Sequence, residues 1–327
     1  MNRPARSPLV ATIVLNWQRE AESIACVRAA AASRYPNQKL YVFDNGACER
    51  SRAALSGLRA LATILESPVN LGYTGGNNAA IRGALADGAD YVWLLNNDAE
   101  AGPDILPALV GLAEANPRFG LVSPLLRQDA HSLAYAAVLF DPAEFSFPTT
   151  IDPDIGREWQ RRFPDRFLLW GTALLIRRQV IERIGLLDER FFAYGEDLDY
   201  SIRSRQAGFM NHVDFDHEVV HSFKNVGSEA CPAYFYYFRT RNAIFIMNKH
   251  CPPRAKFKAA LHFAYRNACL LERLQGRRDL MDALLAGLWH GLRGVTGPYE
   301  STYRMPAPLA ALLRARPSLL AKVLKAI

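Results

Sequence analysis

Val92-Trp93-Leu94-Leu95-Asn96-Asn97-Asp98 runs from four apolar residues straight into three polar ones. With Tyr91 ahead of it, the apolar part has the length of a short buried strand. Asn96 and Asp98 then stand at i and i+2 beyond the strand, so their side-chain oxygens can reach one point in space. Hard oxygen ligands suit Mg2+ or Mn2+, particularly where substrate phosphates complete the shell. The same tripeptide is also ordinary turn chemistry, and taken alone it leaves both readings open.

Outward from this segment the pattern repeats. Residues 9–15 form a β-rich apolar run ending at Asn16, and residues 19–34 are an Ala-rich stretch of helical period stopped by Tyr35-Pro36-Asn37. Residues 40–43 are a second strand, halted by Asp44-Asn45-Gly46; residues 50–61 read as helix, 62–65 as strand and 77–87 as helix. Such alternation predicts a Rossmann-like α/β fold, a mostly parallel sheet with helices on both faces. Polar groups follow the strands at Asn16, Asp44, Asn70 and Asn96 to Asp98. Open parallel sheets bind ligands beyond the carboxyl ends of their strands, so these groups are expected along one crevice.

Asn70-Leu71-Gly72-Tyr73-Thr74-Gly75-Gly76-Asn77-Asn78 reads as a Gly-rich loop opening a helix. It is either a contact for a diphosphate or sugar or a tight strand-to-helix turn. It matches neither the Walker nor the dinucleotide fingerprint. Further on, residues 128–164 read as a long irregular insert, 168–176 as a strand, 178–184 as a helix and 196–207 as another helix. Glu196, Asp197 and Asp199 crowd the first turn of that helix. They are either caps or a general base with a pKa raised by its neighbours. His221 closes an apolar-flanked Val219-Val220 step; a lone histidine there also suits a structural role, and His212 and His217 compete with it.

Composition bounds the answer. Of 327 residues, 50% are hydrophobic and 22% charged, which fits a folded globular chain and excludes a disordered one. The length suits one large domain with an appendage, or two modest domains. The net charge of +7 fits anionic partners or plain solubility. Five scattered cysteines without Cys-x-x-Cys spacing argue against zinc and a disulfide framework and for a reduced, intracellular setting. Met1-Asn2-Arg3-Pro4 lacks the apolar core of a signal peptide. The most apolar stretch, residues 234–247, is interrupted by Arg239, Arg241 and Asn242, so no membrane span is expected.

Taken together, these segments resemble the family 2 glycosyltransferases, in a bacterial branch that includes rhamnosyltransferases. The resemblance covers residues 8–250. It rests on the first strand with Asn16-Trp17, on Val42-Phe43-Asp44-Asn45-Gly46, on the segment from Asn70 to Asn78, and on Leu94-Leu95-Asn96-Asn97-Asp98 at the family's Asp-x-Asp position. It continues through Ile184-Gly185-Leu186-Leu187-Asp188-Glu189-Arg190-Phe191-Phe192, Glu196-Asp197-Leu198-Asp199 and the Tyr237 to Asn242 element. The resemblance implies the GT-A fold, with a catalytic domain at 1–250 (a nucleotide-sugar half at 1–127, an acceptor half at 165–250) and a helical extension at 251–327. It implies a nucleotide-diphosphate sugar donor, with dTDP-rhamnose first in mind, a glycan or polyprenyl-linked acceptor, and Mg2+ or Mn2+. Asp44 would contact the nucleobase, with Leu15, Asn16 and Trp17 lining its pocket. Asn70, Gly75, Gly76, Asn77 and Asn97 would complete the nucleotide-sugar site. Asp98 would ligate the metal, helped by Asn96 and His221. Asp197 would be the catalytic base, with Glu196 beside it. Asn96 departs from the family's first Asp and removes one charge from the metal site.

The expected place is the cytoplasm, at the inner face of the cell membrane, where the basic, Leu/Ala-rich residues 309–327 with Arg314, Arg316, Lys322 and Lys325 would meet anionic lipid. The alternative is a helical cap on the catalytic domain. A nucleotidyltransferase would need a glycine-bearing phosphate loop after the first strand, and Asn16-Trp17-Gln18-Arg19-Glu20 has none. A non-catalytic scaffold of the same fold would predict loss of Asp98 or Asp197, and both are present. The basic residues are spread along the chain without a nucleic-acid module.

Overall fold

The computed structural model describes residues 7–129, 132–221, 231–315 and 317–326; Met1 to Pro4, Arg316 and Ile327 lie outside the described residues. Residues 7–139, 149–189 and 196–221 form one compact unit, and residues 140–148, 190–195 and those from 231 onward form another.

The first unit opens as β1 (Val10–Asn16), α1 (Glu20–Ala31), β2 (Gln38–Asn45), α2 (Glu49–Leu55), β3 (Ala62–Ser67), α3 (Gly72–Ala86) and β4 (Tyr91–Asn96). It continues with β5 (Ala99–Glu100), α4 (Ile105–Ala115), β6 (Phe119–Arg127), β7 (Leu133–Tyr135), β8 (Ala137–Leu139), β9 (Thr149–Thr150) and α5 (Pro153–Arg162). It closes with β10 (Phe167–Leu168), β11 (Ala173–Arg177), α6 (Arg178–Ile184), α7 (Glu196–Gln206) and β12 (Met210–His221). The main sheet has the order β3-β2-β1-β4-β11-β6-β12-β5. Strands β3, β2, β1 and β4 are parallel, as the alternation predicts. β11 is antiparallel to both neighbours, β6 and β12 are parallel, and β5 is antiparallel to β12.

The strands lack polar alternation because both faces are covered. Val10, Val14, Tyr91, Trp93 and Leu95 pack with Val27 of α1 and Leu106 and Leu109 of α4. Ala11, Ile13, Val92 and Leu94 pack on the other face with Ala80, Ile81 and Ala84 of α3 and Val180 of α6. Each such aliphatic side chain contributes about 1.5–3 kcal/mol by leaving water.

Three expectations are corrected. Residues 128–164 are not an irregular insert: they hold β7, β8, β9 and α5, and β10-β8-β9 form a small second sheet. Those strands are two or three residues long, too short for any periodic signal. α5 does carry a local start signal, since Asp152 accepts from the Asp154 and Ile155 amides and Pro153 follows it. The single strand expected at 168–176 is two strands parted by residues 169–172. The Gly-rich segment is not a loop, because α3 starts at Gly72. α4 and β6 were not anticipated, yet β6 lies in the interior of the sheet.

The second unit contains α8 (Ala233–His250), α9 (Pro253–Arg273), α10 (Arg278–Arg293), α11 (Ala307–Ala315) and α12 (Pro317–Ala326). α8 therefore groups with the C-terminal helices, whereas the sequence reading placed it before a boundary at 250/251. α10 lies close against α8: a Cβ on Gly287 would collide with the Tyr237 carbonyl oxygen, and one on Gly291 would stand 2.7 Å from Ile244 Cδ1. Among the described residues no helix is long and apolar enough to cross a membrane.

Candidate active site

The parallel registers set Asn16 opposite Asp44, and Leu15 opposite Asn96, so β2, β1 and β4 end together. Asp44 is buried there. Asn16 Nδ2 donates to its Oδ1 at 2.9 Å and Ser51 Oγ to its Oδ2 at 2.6 Å. Ser23 Oγ donates to Asn16 Oδ1 at 2.7 Å, and Asn97 Nδ2 donates to Ser23 Oγ at 3.0 Å. One polar chain thus ties three strand ends to α1 and α2. Buried polar groups are satisfied in this way or cost stability. Trp17, just beyond Asn16, is half exposed and Leu15 partly so.

Asn45, which the sequence reading did not single out, organises the entry to α3. Its Nδ2 donates to Asn70 Oδ1 and the Gly72 carbonyl, and its Oδ1 accepts from the Leu71 amide at 2.7 Å. Gly75, Gly76 and Asn77 lie in the first turns of α3 and are buried. A Cβ on Gly76 would stand 2.5 Å from Leu15 Cδ1 and 3.2 Å from Phe43 Cδ1. Asn77 Nδ2 donates back to the Tyr73 carbonyl. Gly76 brings α3 close to the sheet, and all three residues lie within the helix.

His221 reaches the end of β4 because β5 and β12 pair, His221 opposite Ala99. His221 Nε2 lies 2.9 Å from Asp98 Oδ1, and Arg19 lies 3.7 Å from Asp98 Oδ2. Burial works to raise the Asp98 pKa, but the hydrogen bond and charge of His221, with Arg19 beyond, hold it below the usual value. Asn96 Oδ1 is buried without a hydrogen-bond partner, and Asn96 Nδ2 lies 3.5 Å from His221 Nε2. Among the described residues no group of three or more His, Cys, Asp or Glu side chains is gathered as a metal site. One carboxylate, one imidazole and an orphaned amide oxygen fit a cation whose other ligands are phosphate oxygens. They do not fit a closed protein cage.

Asp197 is held by two backbone amides, one from Gly171 and one from its own helix. Its Oδ2 accepts from the Gly171 amide at 2.9 Å, and its Oδ1 from the Leu198 amide at 2.8 Å. A Cβ on Gly171 would come within 3.2 Å of Asp197 Cβ, so glycine permits the approach. Next along the same segment, Thr172 Oγ1 lies 3.5 Å from His221 Nδ1. Gly171 and Thr172 therefore link the Asp197 carboxylate to the Asp98–His221 pair, and neither residue was singled out from the sequence. Tyr73 donates to the Gly171 carbonyl at 3.1 Å. Burial, then the charges of Glu196, Asp197 and Asp98, push the Tyr73 phenol well above its usual pKa.

Burial raises the Asp197 pKa, against the lowering by its backbone donors. Glu196 is raised further, by burial and by the charges of Asp197 and Asp199, and its Oε2 has no hydrogen-bond partner. Asp199 is spoken for, since Arg203 Nε donates to it at 2.8 Å. His217 lies 2.8 Å from Asp214, and His212 stacks on Phe119, so these rivals of His221 have their own structural roles.

Residues 12–185, more than half of the chain, match the family described as glycosyl transferase family 2. The chain belongs to that family. The match stops before Glu196, Asp197 and His221, so their place at the site rests on the geometry above. An N-acetylglucosaminyl-diphospho-decaprenol L-rhamnosyltransferase of Mycobacterium tuberculosis is 29% identical over 204 residues, covering 54% of this chain and 64% of that protein. A galactofuranosyltransferase of the same organism is 31% identical over 194 residues, covering 54% and 58%. The chain thus spans less than two thirds of the length of these relatives. A mannosyltransferase from Pyrobaculum calidifontis, solved in complex with GDP-Man and Mn2+, superposes with a TM-score of 0.53 at 18% identity, over 98% of this chain and 83% of that one. The fold is the GT-A fold of such transferases.

Proposed function

We propose that this protein is an inverting, divalent-metal-dependent glycosyltransferase that moves a sugar from a nucleoside-diphosphate sugar to a hydroxyl of a glycan or lipid-linked glycan. The observation that carries the reading is the Gly171-Thr172 link, which joins a carboxylate held by backbone amides to the Asp98–His221 pair. Asp44, Leu15, Asn16 and Trp17 take the nucleobase side, and Asn97 extends the same polar chain. Asn70, Gly75, Gly76 and Asn77 shape the donor wall by packing.

The acceptor oxygen bonds to the anomeric carbon as the bond from that carbon to the diphosphate oxygen breaks. The electron pair leaves with the diphosphate, and the hydroxyl proton passes to a carboxylate oxygen of Asp197. Attack from the side opposite the leaving group inverts the anomeric centre. Two amide donors keep Asp197 in place, and a buried setting makes its carboxylate a stronger base. Burial and the charge of Asp197 beside it raise the Glu196 pKa, which favours its neutral form. Asp98, His221 and the unpartnered Asn96 Oδ1 would hold Mg2+ or Mn2+, which offsets charge on the departing diphosphate.

The rhamnosyltransferase relatives make dTDP-rhamnose the first donor to test, with a galactofuranosyl donor next. Thermal-shift screening of nucleotide sugars with and without Mn2+ tests the reading. Stabilisation by one donor, dependent on the cation, supports it, and no stabilisation by any donor sinks it. A peripheral contact with anionic membrane is also proposed, through exposed Leu309 and Leu312 with Lys322 and Lys325. Failure to sediment with phosphatidylglycerol vesicles at low salt would count against that contact.

A further inference from the structure

Two exposed aromatic rings stand at the surface of the second unit, next in sequence to the carboxylates above. Tyr194 and Tyr234 are each 40% exposed, with ring centroids 6.5 Å apart and planes 26° from parallel. Phe235 meets the Tyr194 ring edge-on at 5.3 Å, and Phe238 lies at 6.3 Å. Tyr194 stands three residues before Asp197.

The backbone that presents Tyr194 is strained. Phe192, Tyr194 and Gly195 have φ of 60°, 67° and 89°. Left-handed backbone is disfavoured for bulky residues and persists only where the surroundings over-determine it. Here they do. Asn242 Nδ2 donates to the carbonyls of Phe191, Ala193 and Tyr194 at 3.0, 2.7 and 2.6 Å. The buried Arg241 donates to the Phe191 carbonyl at 2.8 Å and to Asn242 Oδ1 at 2.9 Å. Its guanidinium lies 5.2, 4.9 and 5.5 Å from the ring centroids of Tyr237, Phe238 and Phe245. Two buried polar side chains thus hold the left-handed backbone that presents a partly exposed tyrosine. Such strain clusters where a ligand is met.

We propose that Tyr194 and Tyr234 form the platform on which a sugar ring of the acceptor lays its apolar C–H face, and that Asn242 and Arg241 are the positioning residues that hold it. The occupant is a sugar because aromatic rings bearing a hydroxyl offer an apolar face and a polar tip together, which matches a pyranose or furanose ring. It is assigned to the acceptor because three residues of chain, spanning at most about 11 Å, separate Tyr194 from Asp197. This inference rests on the glycosyltransferase reading for the identity of that sugar.

The test uses the full chain and octyl β-glycosides of N-acetylglucosamine, galactose and rhamnose, with binding read by saturation-transfer NMR. Turnover is not needed for that readout. Wild type should bind at least one glycoside. Tyr194→Leu, which keeps the strained backbone and loses the ring, should weaken binding roughly three- to ten-fold, the worth of one aromatic contact. Tyr194→Phe, which keeps the ring and loses only the polar tip, should weaken it less than Tyr194→Leu does. Asn242→Ala, with both rings intact, should reproduce the loss, raising the acceptor KM while leaving the donor KM unmoved. No binding to any of the three glycosides, or equal binding by Tyr194→Leu, overturns the platform. Wild-type binding by Asn242→Ala overturns the positioning role. A protein that binds glycosides through Tyr194 yet turns over no nucleotide sugar would sink the transferase reading and leave the platform standing.

Discussion

Gly76→Ala is expected to destabilise the first unit and weaken donor binding together. The added Cβ would lie 2.5 Å from Leu15 Cδ1, 3.2 Å from Phe43 Cδ1 and 3.3 Å from Asn45 Cγ. Carbon contacts settle near 3.5–4.0 Å, so the Leu15 side chain must move and Phe43 and Asn45 must give by a few tenths of an ångström. Overpacking of this kind costs about 1–3 kcal/mol. Alanine returns about 1 kcal/mol of helix propensity. With three close contacts the cost sits in the upper half of its range, and the net loss is about 1–2 kcal/mol. For a unit of this size that is a fall of roughly 2–8 °C in Tm. Gly83 in the same helix is the control, since its Cβ would meet only Leu65 Cδ1 at an ordinary 3.5 Å. Gly83→Ala should therefore be stabilising by roughly 0.5–1 kcal/mol. The assay is urea unfolding followed by tryptophan fluorescence, with calorimetry for the nucleoside diphosphate. If Gly76→Ala were as stabilising as Gly83→Ala, the close approach of α3 to the sheet would be refuted.

Asp197→Asn should lower the transfer rate by roughly 10²–10⁴, the usual range for a lost general base, while donor affinity measured by calorimetry holds; near-normal turnover would remove Asp197 from the role. Asp98→Ala should abolish the gain in nucleoside-diphosphate affinity that Mn2+ brings, and a gain that survives counts against the Asp98–His221–Asn96 site. Glu196→Gln should flatten the dependence of stability on pH. Below the usual glutamate pKa the folded and unfolded chains both hold the Glu196 proton. Above it the unfolded chain releases the proton and the folded chain keeps it, because burial raises the folded pKa. Stability therefore falls as pH rises through that window, by at most about 1.4 kcal/mol per pH unit for one group. A wild type and a glutamine variant with parallel pH–stability curves would show that Glu196 is not held protonated.

The strand ends were legible because they are local. Apolar runs at residues 9–15, 40–43 and 91–95 stop at polar residues, and a buried parallel strand needs both features. The residues that organise the site were harder to read. Asn45, Gly171 and Thr172 act on groups far away in sequence, the Leu71 amide, the Asp197 carboxylate and the His221 ring, and nothing in their own neighbourhood announces it. The glycines at 75 and 76 signalled close approach correctly in kind. At Gly76 what approaches is the sheet, through Leu15 and Phe43, and at Gly75 it is Leu71 at the helix entry.

By itself the sequence determined the alternation of strand and helix, the polar groups at the carboxyl edge, and the acidic first turn at Glu196 to Asp199, because propensity, periodicity and capping act within a few residues. Only the tertiary structure decided that His221 meets Asp98, since that contact depends on β5 pairing with β12 across more than a hundred residues. It also decided which carboxylates are desolvated. Asp197 and Glu196 are neighbours in the chain, but amide donors hold one and the other lies buried with an unpartnered oxygen. Charge state follows that surrounding packing, which no local pattern encodes.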